Sequence, residues 1–414
     1  MFATTLEEIQ SSAPKRKIYV RALLGMLTLC VVLSAIGFAR LSPWHNGLVD
    51  FDVFHLVAQH VWLGDADLAY QFEKFRDMQR AASGGSDDFM PWTYPPQFDL
   101  LLAPLALMST GPGYFLFMAA TLSFYLIVLR SIAASHLVLA LIILLPAMAT
   151  TIACGQNGFL TAGLIGLACL CFEERPVVAG LALGLMIIKP HLAITFAAYA
   201  ILSRRWVVVV TAGAVVLASS VLCTLVFGPQ IWAALLQSVH DSAIFLERGY
   251  YPLYRMISFY AALRTVGVPA SAAFLGQTVV AACCLAIIAF ACYRRFAVRW
   301  CLGLCAILAV SISPYAYDYD FTIFGIGLAL LLAELKRGAG ESERAFIYAA
   351  PMVIGAYGNL LAAGLGTSHR DLQGMDMLSI GGFVMLGLIP LIFAVALRSL
   401  RFEAKVLPVS VEAA

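Results

Sequence analysis

The chain has 414 residues, of which 62% are hydrophobic and 12% are charged, and its formal net charge is +2. A soluble domain of average composition carries about 25% charged residues, so this composition excludes an ordinary soluble protein and indicates an integral membrane protein. Because the net charge is small and no basic run is interleaved with aromatic residues, the chain is not predicted to bind nucleic acid.

A basic segment precedes the first long apolar run. Residues 1–20 include Lys15, Arg16 and Lys17, and they are predicted to form a cytoplasmic tail ahead of the lipid bilayer. A spanning helix needs about 20 apolar residues, and on that measure we predict an all-α bundle of about 12 transmembrane helices. The predicted spans are 20–40, 113–131, 136–152, 157–172, 176–190, 191–203, 206–228, 268–292, 299–314, 320–335, 345–364 and 377–398.

The segment 98–108 is apolar but only about half the length of a span, so it is predicted to be re-entrant or interfacial. With this segment not crossing, the turns that carry most arginines and lysines all face the cytoplasm, as the positive-inside bias requires. Two long loops, 41–112 and 229–267, then lie on the extracytoplasmic side. Residues 1–414 are predicted to form a single polytopic domain.

Two carboxylates, Asp50 and Asp52, stand just past the first apolar run. Acids at a bilayer edge are costly unless something uses them. In an extended segment their side chains would point the same way, whereas on a helix they would diverge. A carboxylate near apolar surface gains basicity, which suits a general base acting on a hydroxyl. The alternatives are a solvated loop acid or a helix N-cap, and one of the two acids can be catalytic while the other caps.

Two short motifs follow at predicted membrane edges. The Tyr-Pro-Pro motif begins at Tyr94, and its prolines fix the backbone and remove two donors, so it predicts a rigid turn that holds the first loop over a site. In the Gly-Gln-Asn-Gly turn at 155–158, Gln156 and Asn157 are candidate ligands for sugar hydroxyls. The alternatives are a purely structural turn for the first motif and a capped helix turn for the second.

Three basic side chains stand on the predicted outer side. Lys189 runs against the positive-inside bias, and with the neighbouring His191 it is a candidate ligand for a phosphate. The alternative interpretation is that the Lys189 side chain snorkels to the lipid headgroups. Arg255, in the second long loop, is a candidate for a second phosphate contact, and a solvated loop charge is its alternative.

The run at 313–320 reads Ser-Pro-Tyr-Ala-Tyr-Asp-Tyr-Asp. Aromatic belts at the bilayer surface explain tyrosines there, but they do not explain the paired acids Asp318 and Asp320. With Tyr317, these acids are candidate carbohydrate ligands, and a metal-like cluster is the alternative. No histidine or third acid stands at a fixed spacing from them, so no bound metal is predicted.

Taken in order, these motifs resemble glycosyltransferase family 87, whose members are polytopic glycosyltransferases of the C type. The likeness runs from about residue 45 to residue 335 and comprises the acid after the first span, Tyr-Pro-Pro, Gly-Gln-Asn, Lys-Pro-His and Pro-Tyr-Xaa-Tyr-Asp-Tyr-Asp. The first-loop aspartate of the family matches Asp50 best, and Asp52 stands where the family varies. Phe54 replaces a tyrosine common in the mannosyltransferase branch, which leaves the sugar open.

The resemblance implies a C-type glycosyltransferase of the plasma (inner) membrane with its site on the extracytoplasmic side. It implies a polyprenyl-phosphate donor of mannose or a related hexose or pentose, a glycan or glycolipid acceptor, and no cofactor. In the implied reaction Asp50 is the base. The leaving phosphate is stabilised by Lys189, with His191 or Arg255 assisting, and inversion at the anomeric carbon is expected. The alternative class is a polytopic transporter or flippase of a lipid-linked or small polar substrate.

Overall fold

The computed structural model of the protein describes residues 2–40, 48–85, 89–365 and 377–406, and within these ranges it is all-helical without a β-strand. The helices of the first half are α1 (Phe2–Ser11), α2 (Ala13–Arg40), α3 (Asp50–Leu63), α4 (Phe72–Ala82), α5 (Pro96–Leu102), α6 (Thr110–Ala133), α7 (Leu137–Cys154), α8 (Gly158–Cys171), α9 (Pro176–Leu185) and α10 (Ile194–Leu202). The remaining helices are α11 (Trp206–Phe227), α12 (Gln230–Glu247), α13 (Phe259–Thr265), α14 (Ala270–Tyr293), α15 (Val298–Ile312), α16 (Thr322–Gly338), α17 (Glu341–Leu365) and α18 (Gly381–Val406). Short 3-10 helices stand between them at Ala66–Tyr70, Ala103–Leu107, Ala134–His136, Met186–Ile188, Pro190–Ala193, Leu253–Arg255 and Asp318–Phe321.

Each of the twelve predicted spans coincides with one of these helices, from α2 to α18. Among the described residues, five stretches are both long and apolar enough to cross a membrane. They are Ala13–Ala39, Thr110–Cys154, Trp206–Phe227, Ala270–Tyr293 and Gly381–Ser399, and the second of them is the hairpin of α6 and α7. Helices α8, α9, α10 and α15 are apolar but shorter, so the count of twelve crossings stays a prediction.

The centre of the bundle is formed by α15 and α16. Every residue from Trp300 to Ile312 is buried, and so is every residue from Thr322 to Leu332. By contrast, α2, α11 and α14 leave most of their apolar side chains exposed. An exposed apolar surface of this extent is what a bilayer covers, so these three helices are the lipid-facing ones and the protein is embedded in a membrane.

The two long loops between predicted spans are themselves largely helical. Residues 41–112 contain α3, α4 and α5, while 41–47 and 86–88 lie outside the described residues. The apolar segment predicted at 98–108 belongs to α5 and the 3-10 helix Ala103–Leu107, which together are too short to span a bilayer. The loop 229–267 consists mainly of α12 and α13.

The N-terminal tail packs on the end of the bundle where α16 ends and α17 begins. In α1, Glu7 accepts a hydrogen bond from Tyr348 (3.0 Å) and forms ion pairs with Arg344 (3.1 Å) and Lys336 (3.7 Å). The 3-10 helix Asp318–Phe321 precedes α16 and therefore lies at its opposite end. The bundle thus has two polar ends separated by an apolar middle.

Helices α9 and α11 pack closely because α9 presents two glycines four residues apart. A Cβ atom at Gly180 would lie 2.6 Å from Cβ of Thr211, and one at Gly184 would lie 2.6 Å from Cβ of Val215. Small residues spaced in this way let the backbones of membrane helices approach each other. A side chain at either glycine would push the two helices apart.

We predict that Gly184→Leu lowers the free energy of unfolding by about 1–3 kcal/mol, because it overpacks this contact. Thermal unfolding in detergent micelles measures the effect. The matched control is Gly213→Leu in α11, where an added Cβ meets no atom within 4 Å. Equal stability of the two variants would show that the glycines do not set the packing of α9 against α11.

Candidate functional site

Helix α3 begins at the first of the two predicted acids. Val49 precedes it with extended backbone angles, and Oδ2 of Asp52 accepts the Val49 N–H at 3.1 Å. Of the two conformations that the sequence left open for Asp50 and Asp52, the structure shows the helix. Since side chains two residues apart on a helix diverge, the two acids serve different places.

Asp52 supports the start of α3. It is buried, and its other oxygen, Oδ1, has no hydrogen-bond partner among the described residues. Burial raises the pKa of Asp52 to about 7, and the negative charge of Asp50 adds to this while the Val49 N–H opposes it. Asp52 is therefore not the N-cap residue that the sequence allowed, because Val49 occupies that position. It supports the start of α3 from the third helical position, as in a capping box.

Asp50 is held by an amide from the 155–158 turn. Its Oδ1 accepts a hydrogen bond from Nε2 of Gln156 at 2.8 Å, and among the described residues its Oδ2 accepts none. Burial raises the pKa of Asp50 above the ordinary aspartate value, while the charge of Arg255 and the Gln156 hydrogen bond act in the opposite direction. Asp50 therefore offers one carboxylate oxygen of raised basicity to a ligand.

Gln156 orients three groups at once. Its Oε1 accepts the hydroxyl of Tyr94 at 3.1 Å and the N–H of Asn157 at 2.8 Å, which leaves Nε2 to face Asp50. The side chain of Asn157 is fully buried, and neither its oxygen nor its nitrogen has a hydrogen-bond partner among the described residues. Its amide is thus free to bind a polar ligand.

Glycines allow the 155–158 turn to sit between two other segments. Gly155 ends α7 with φ of +66°, and a Cβ there would lie 2.5 Å from Cβ of Phe51 in α3. A Cβ at Gly158 would collide with the carbonyl oxygen of Tyr319. The turn therefore joins the start of α3 to the turn before α16.

Lys189 makes a buried ion pair. Its Nζ donates to Oδ1 of Asp320 at 2.6 Å, and the side chains are 7% and 2% exposed. The 3-10 helices on either side of Lys189 turn the chain so that the ammonium group points into the protein. The alternative of a lysine that snorkels to lipid headgroups is therefore excluded. The ammonium has three donors, and Asp320 takes one of them.

Arg255 makes a second buried ion pair, with Asp318. Its Nε and Nη2 donate to the two carboxylate oxygens at 3.0 Å and 2.9 Å, and Nη2 also lies 3.1 Å from Sγ of Cys154. A bidentate contact of this kind fixes both groups. The neighbouring backbone is held by the bridge between Met256 and Tyr317. Among the described residues Nη1 makes no hydrogen bond, so the guanidinium keeps donors for a ligand.

The ring of Tyr319 lies between the two cations. The Nζ of Lys189 is 4.8 Å from its centroid and Cζ of Arg255 is 5.8 Å from it. Tyr317 stacks on the same ring with 5.2 Å between centroids. Tyr319 was not among the predicted site residues, because its position in a tyrosine-rich run at a membrane edge is equally typical of an aromatic belt.

Most of the predicted site residues thus meet in one place. Asp50, Tyr94, Gln156, Lys189 and Asp320 are joined by hydrogen bonds or by the ring contact of Lys189 with Tyr94, whose centroid is 5.7 Å from Nζ. Arg255, Tyr317 and Asp318 join them through Tyr319. His191 is adjacent, two residues after Lys189, but it makes no hydrogen bond to a described residue.

We predict that Lys189→Met and Asp320→Leu each lower the free energy of unfolding by about 3–5 kcal/mol, because each leaves one buried charge without its partner. The double variant should be more stable than either single variant, since no charge is then unpaired. Thermal unfolding in detergent micelles gives all three values. Single variants as stable as the wild type would show that the two groups do not form a buried pair.

The sequence profile of glycosyltransferase family 87 matches residues 92–314, which is more than half of the chain. The matched region includes Tyr94, Gln156, Lys189 and Arg255, while Asp50 lies before it and the Asp318–Phe321 helix follows it. No curated protein and no solved structure matches the chain. The profile match confirms the resemblance seen in the motifs. The chain belongs to glycosyltransferase family 87 and is a membrane glycosyltransferase.

Proposed function

We propose that the protein transfers a sugar, mannose or a related hexose or pentose, from a polyprenyl-phosphate donor to a hydroxyl of a glycan or glycolipid acceptor. The observation that carries this proposal is the convergence of one available acid with two buried cations. Among the described residues, Oδ2 of Asp50 accepts no hydrogen bond, and the charges of Arg255 and Lys189 lie close enough to oppose the rise in its pKa that burial causes. Direct displacement of a phosphate by a hydroxyl requires a base for the hydroxyl proton and, beside it, cations that stabilise the leaving phosphate.

In the proposed reaction, Asp50 accepts the proton of the acceptor hydroxyl as the oxygen bonds to the anomeric carbon. The bond between that carbon and the phosphate oxygen breaks, and the lipid phosphate leaves with the electron pair. Its negative charge is stabilised by the donors that Lys189 and Arg255 do not give to their carboxylates, with His191 at the edge of the site. Asp50 acts once and on one face of the sugar, so the anomeric configuration inverts.

The remaining polar groups bind the sugar or the acceptor in this proposal. Asn157 brings a buried amide that has no hydrogen-bond partner in the described part of the chain, and Tyr94 and Gln156 set the position of Asp50. Tyr317, Asp318 and Asp320 offer a stacked ring and the carboxylate lone pairs that the cations leave unused. Asp52 supports the start of α3, which makes it a positioning residue rather than a second base.

An apolar groove supports a lipid-linked donor. It has a volume of about 220 Å³ and runs between α9, α10 and α11. Its lining includes Pro190, which follows Lys189 directly, and Met186 and Ile187, which precede it by three and two residues, and it continues to Ile201 at the far end of α10. Pro190, Ile201 and Gly213 are exposed on the lipid-facing side of the bundle. A prenyl chain lying in this groove would place its phosphate beside Lys189.

The rival function is transport of a lipid-linked or small polar substrate across the bilayer. Such a function needs polar groups along a path between the two faces. The central helices carry no charged residue from Trp300 to Ile312 or from Thr322 to Ala333, and the polar groups gather at one end of the bundle. This distribution favours a reaction centre. The basic residues in the turns at the other end favour an extracytoplasmic site in the plasma (inner) membrane.

We predict that Asp50→Asn lowers sugar transfer about 10²–10⁴-fold, because an amide cannot accept the proton. Asp52→Asn should keep most of the activity, since the amide oxygen of asparagine can accept the same Val49 N–H. The assay measures transfer from radiolabelled polyprenyl-phosphate sugars in membranes that contain equal amounts of each variant.

The pH profile provides a further check on the base. Because the pKa of Asp50 is raised, its ionised form is lost as the pH falls through that raised value, and transfer by the wild type should decline there. Loss of transfer in Asp52→Asn but not in Asp50→Asn would show that Asp52 is the base. Wild-type membranes that transfer nothing from any of several polyprenyl-phosphate sugars would favour transport instead.

We predict that Gly213→Phe raises KM about tenfold for a donor with a full-length polyprenyl chain, a loss of about 1.4 kcal/mol of binding. The ring fills the groove, and an added Cβ at Gly213 meets no protein atom within 4 Å, so the fold should be kept. A water-soluble short-chain analogue of the same donor should keep its KM.

The matched control is Gly25→Phe in the lipid-facing helix α2, where an added Cβ also meets no atom within 4 Å. Gly25→Phe should change neither the KM of the full-length donor nor that of the short-chain analogue. An unchanged KM of the long donor in Gly213→Phe would place the lipid tail elsewhere. An equal rise for both donors would show a general disturbance of the site.

A further inference from the structure

We infer that Asp99 is a neutral carboxylic acid in the folded protein and that its proton fixes the Tyr94 turn against the candidate site. The protonation of Asp99 is independent of the reaction, whereas its role as a positioning residue rests on the proposed function.

Asp99 lies in α5 and is fully buried. Its Oδ1 accepts a hydrogen bond from Nε1 of Trp92 at 3.0 Å, and its Oδ2 lies 2.8 Å from the hydroxyl oxygen of Tyr70. Among the described residues it forms no ion pair, in contrast to Asp318 and Asp320. An ionised carboxylate buried without a cation is strongly disfavoured.

The proton count around Tyr70 decides the charge of Asp99. The hydroxyl oxygen of Tyr70 lies 2.8 Å from the Asp99 carboxyl oxygen and 2.9 Å from the carbonyl oxygen of Tyr94. A phenol carries one proton, and both neighbours are acceptors when Asp99 is ionised. In that state one of the two oxygen–oxygen contacts would have no hydrogen between its atoms. A protonated Asp99 donates to Tyr70, Tyr70 then donates to Tyr94, and both contacts are hydrogen bonds.

The same chain of hydrogen bonds ends at the proposed base. The backbone of Tyr94 is held through Tyr70, and its own hydroxyl donates to Gln156, which in turn donates to Asp50. Asp99 is thus linked to Asp50 without touching it or the space beside it. It is a positioning residue whose effect on transfer passes through Tyr94 and Gln156.

Asparagine at this position reproduces the neutral acid. Its amide nitrogen donates to Tyr70, and its amide oxygen accepts from Trp92 Nε1. We therefore expect Asp99→Asn to retain kcat within about threefold of the wild type, a difference of less than 1 kcal/mol. Asp99→Leu, which is similar in size but cannot hydrogen-bond, should lower kcat at least tenfold, as should Tyr70→Phe. This contrasts with Asp50→Asn, for which the same change from acid to amide abolishes proton acceptance.

Infrared spectroscopy tests the charge state without any assay of transfer. The difference spectrum of wild type minus Asp99→Asn should show the carbonyl stretch of a protonated carboxylic acid. A carboxylate band in its place would overturn the inference, whatever the activity of the protein.

The activity measurements decide the role. Folded Asp99→Asn that is as inactive as Asp50→Asn would show that an ionised Asp99 is needed and would overturn the inference. Folded Asp99→Leu with wild-type kcat would show that Asp99 does not position the site. If Asp99→Leu does not fold, Tyr70→Phe provides the same test of position. Should the wild type show no transfer at all, the proposed function fails while the infrared result still decides the protonation of Asp99.

Discussion

A charge cannot be buried in a membrane protein at acceptable cost unless an opposite charge is buried with it, and this constraint shapes the polar centre of the bundle. Asp318 and Asp320 stand in one 3-10 turn, and each takes its cation from a different segment of the chain. Lys189 reaches Asp320 from the break between α9 and α10, and Arg255 reaches Asp318 from the loop before α13. The turn before α16 is therefore the point at which the separate parts of the site are held together.

Acids of the same kind have three different chemical roles within this small region. Asp318 and Asp320 are counter-ions of buried cations, Asp52 supports the first turn of a helix, and Asp50 has one oxygen that accepts no hydrogen bond from a described residue. The side chains are identical, so the differences come from what each environment supplies. Burial raises the pKa of both Asp50 and Asp52. Asp52 is also basic, and its Oδ1 also lacks a partner among the described residues, but Asp50, unlike Asp52, lies close enough to Arg255 and Lys189 for their charges to act on it.

Sequence alone predicted the helices and most of the polar residues that the structure brings together. Long apolar runs predict helices because a helix satisfies all backbone hydrogen bonds within one segment in lipid, and polar residues at their ends stand out from that background. The sequence was ambiguous where the same residues are compatible with two backbone conformations. Asp50 and Asp52 follow a span, and nothing in the neighbouring residues distinguishes an extended segment from the helix that begins at Asp50.

The pairing of charges and the network around Asp99 could not be predicted in the same way. Lys189 and Asp320 are 131 residues apart, and either acid of the Asp-Tyr-Asp sequence suits either cation until the fold brings them together. Asp99 stands in the apolar segment 98–108, which contains no basic residue that could be its counter-ion. Its hydrogen bonds come from Tyr70 and Trp92, two aromatic residues that sequence reasoning assigns to packing. Contacts between distant segments have no signature in a single sequence.

The separation of Lys189 from Asp320 has a consequence for the biosynthesis of the protein. Chains are made from the N-terminus, so the helices that flank Lys189 are complete well before its counter-ion exists. Until α15 and the turn before α16 have been made, the ammonium group must remain in contact with water or headgroups, because it has no carboxylate to accompany it into the interior. The buried ion pair of Lys189 and Asp320 therefore forms only after the turn before α16 has been synthesised.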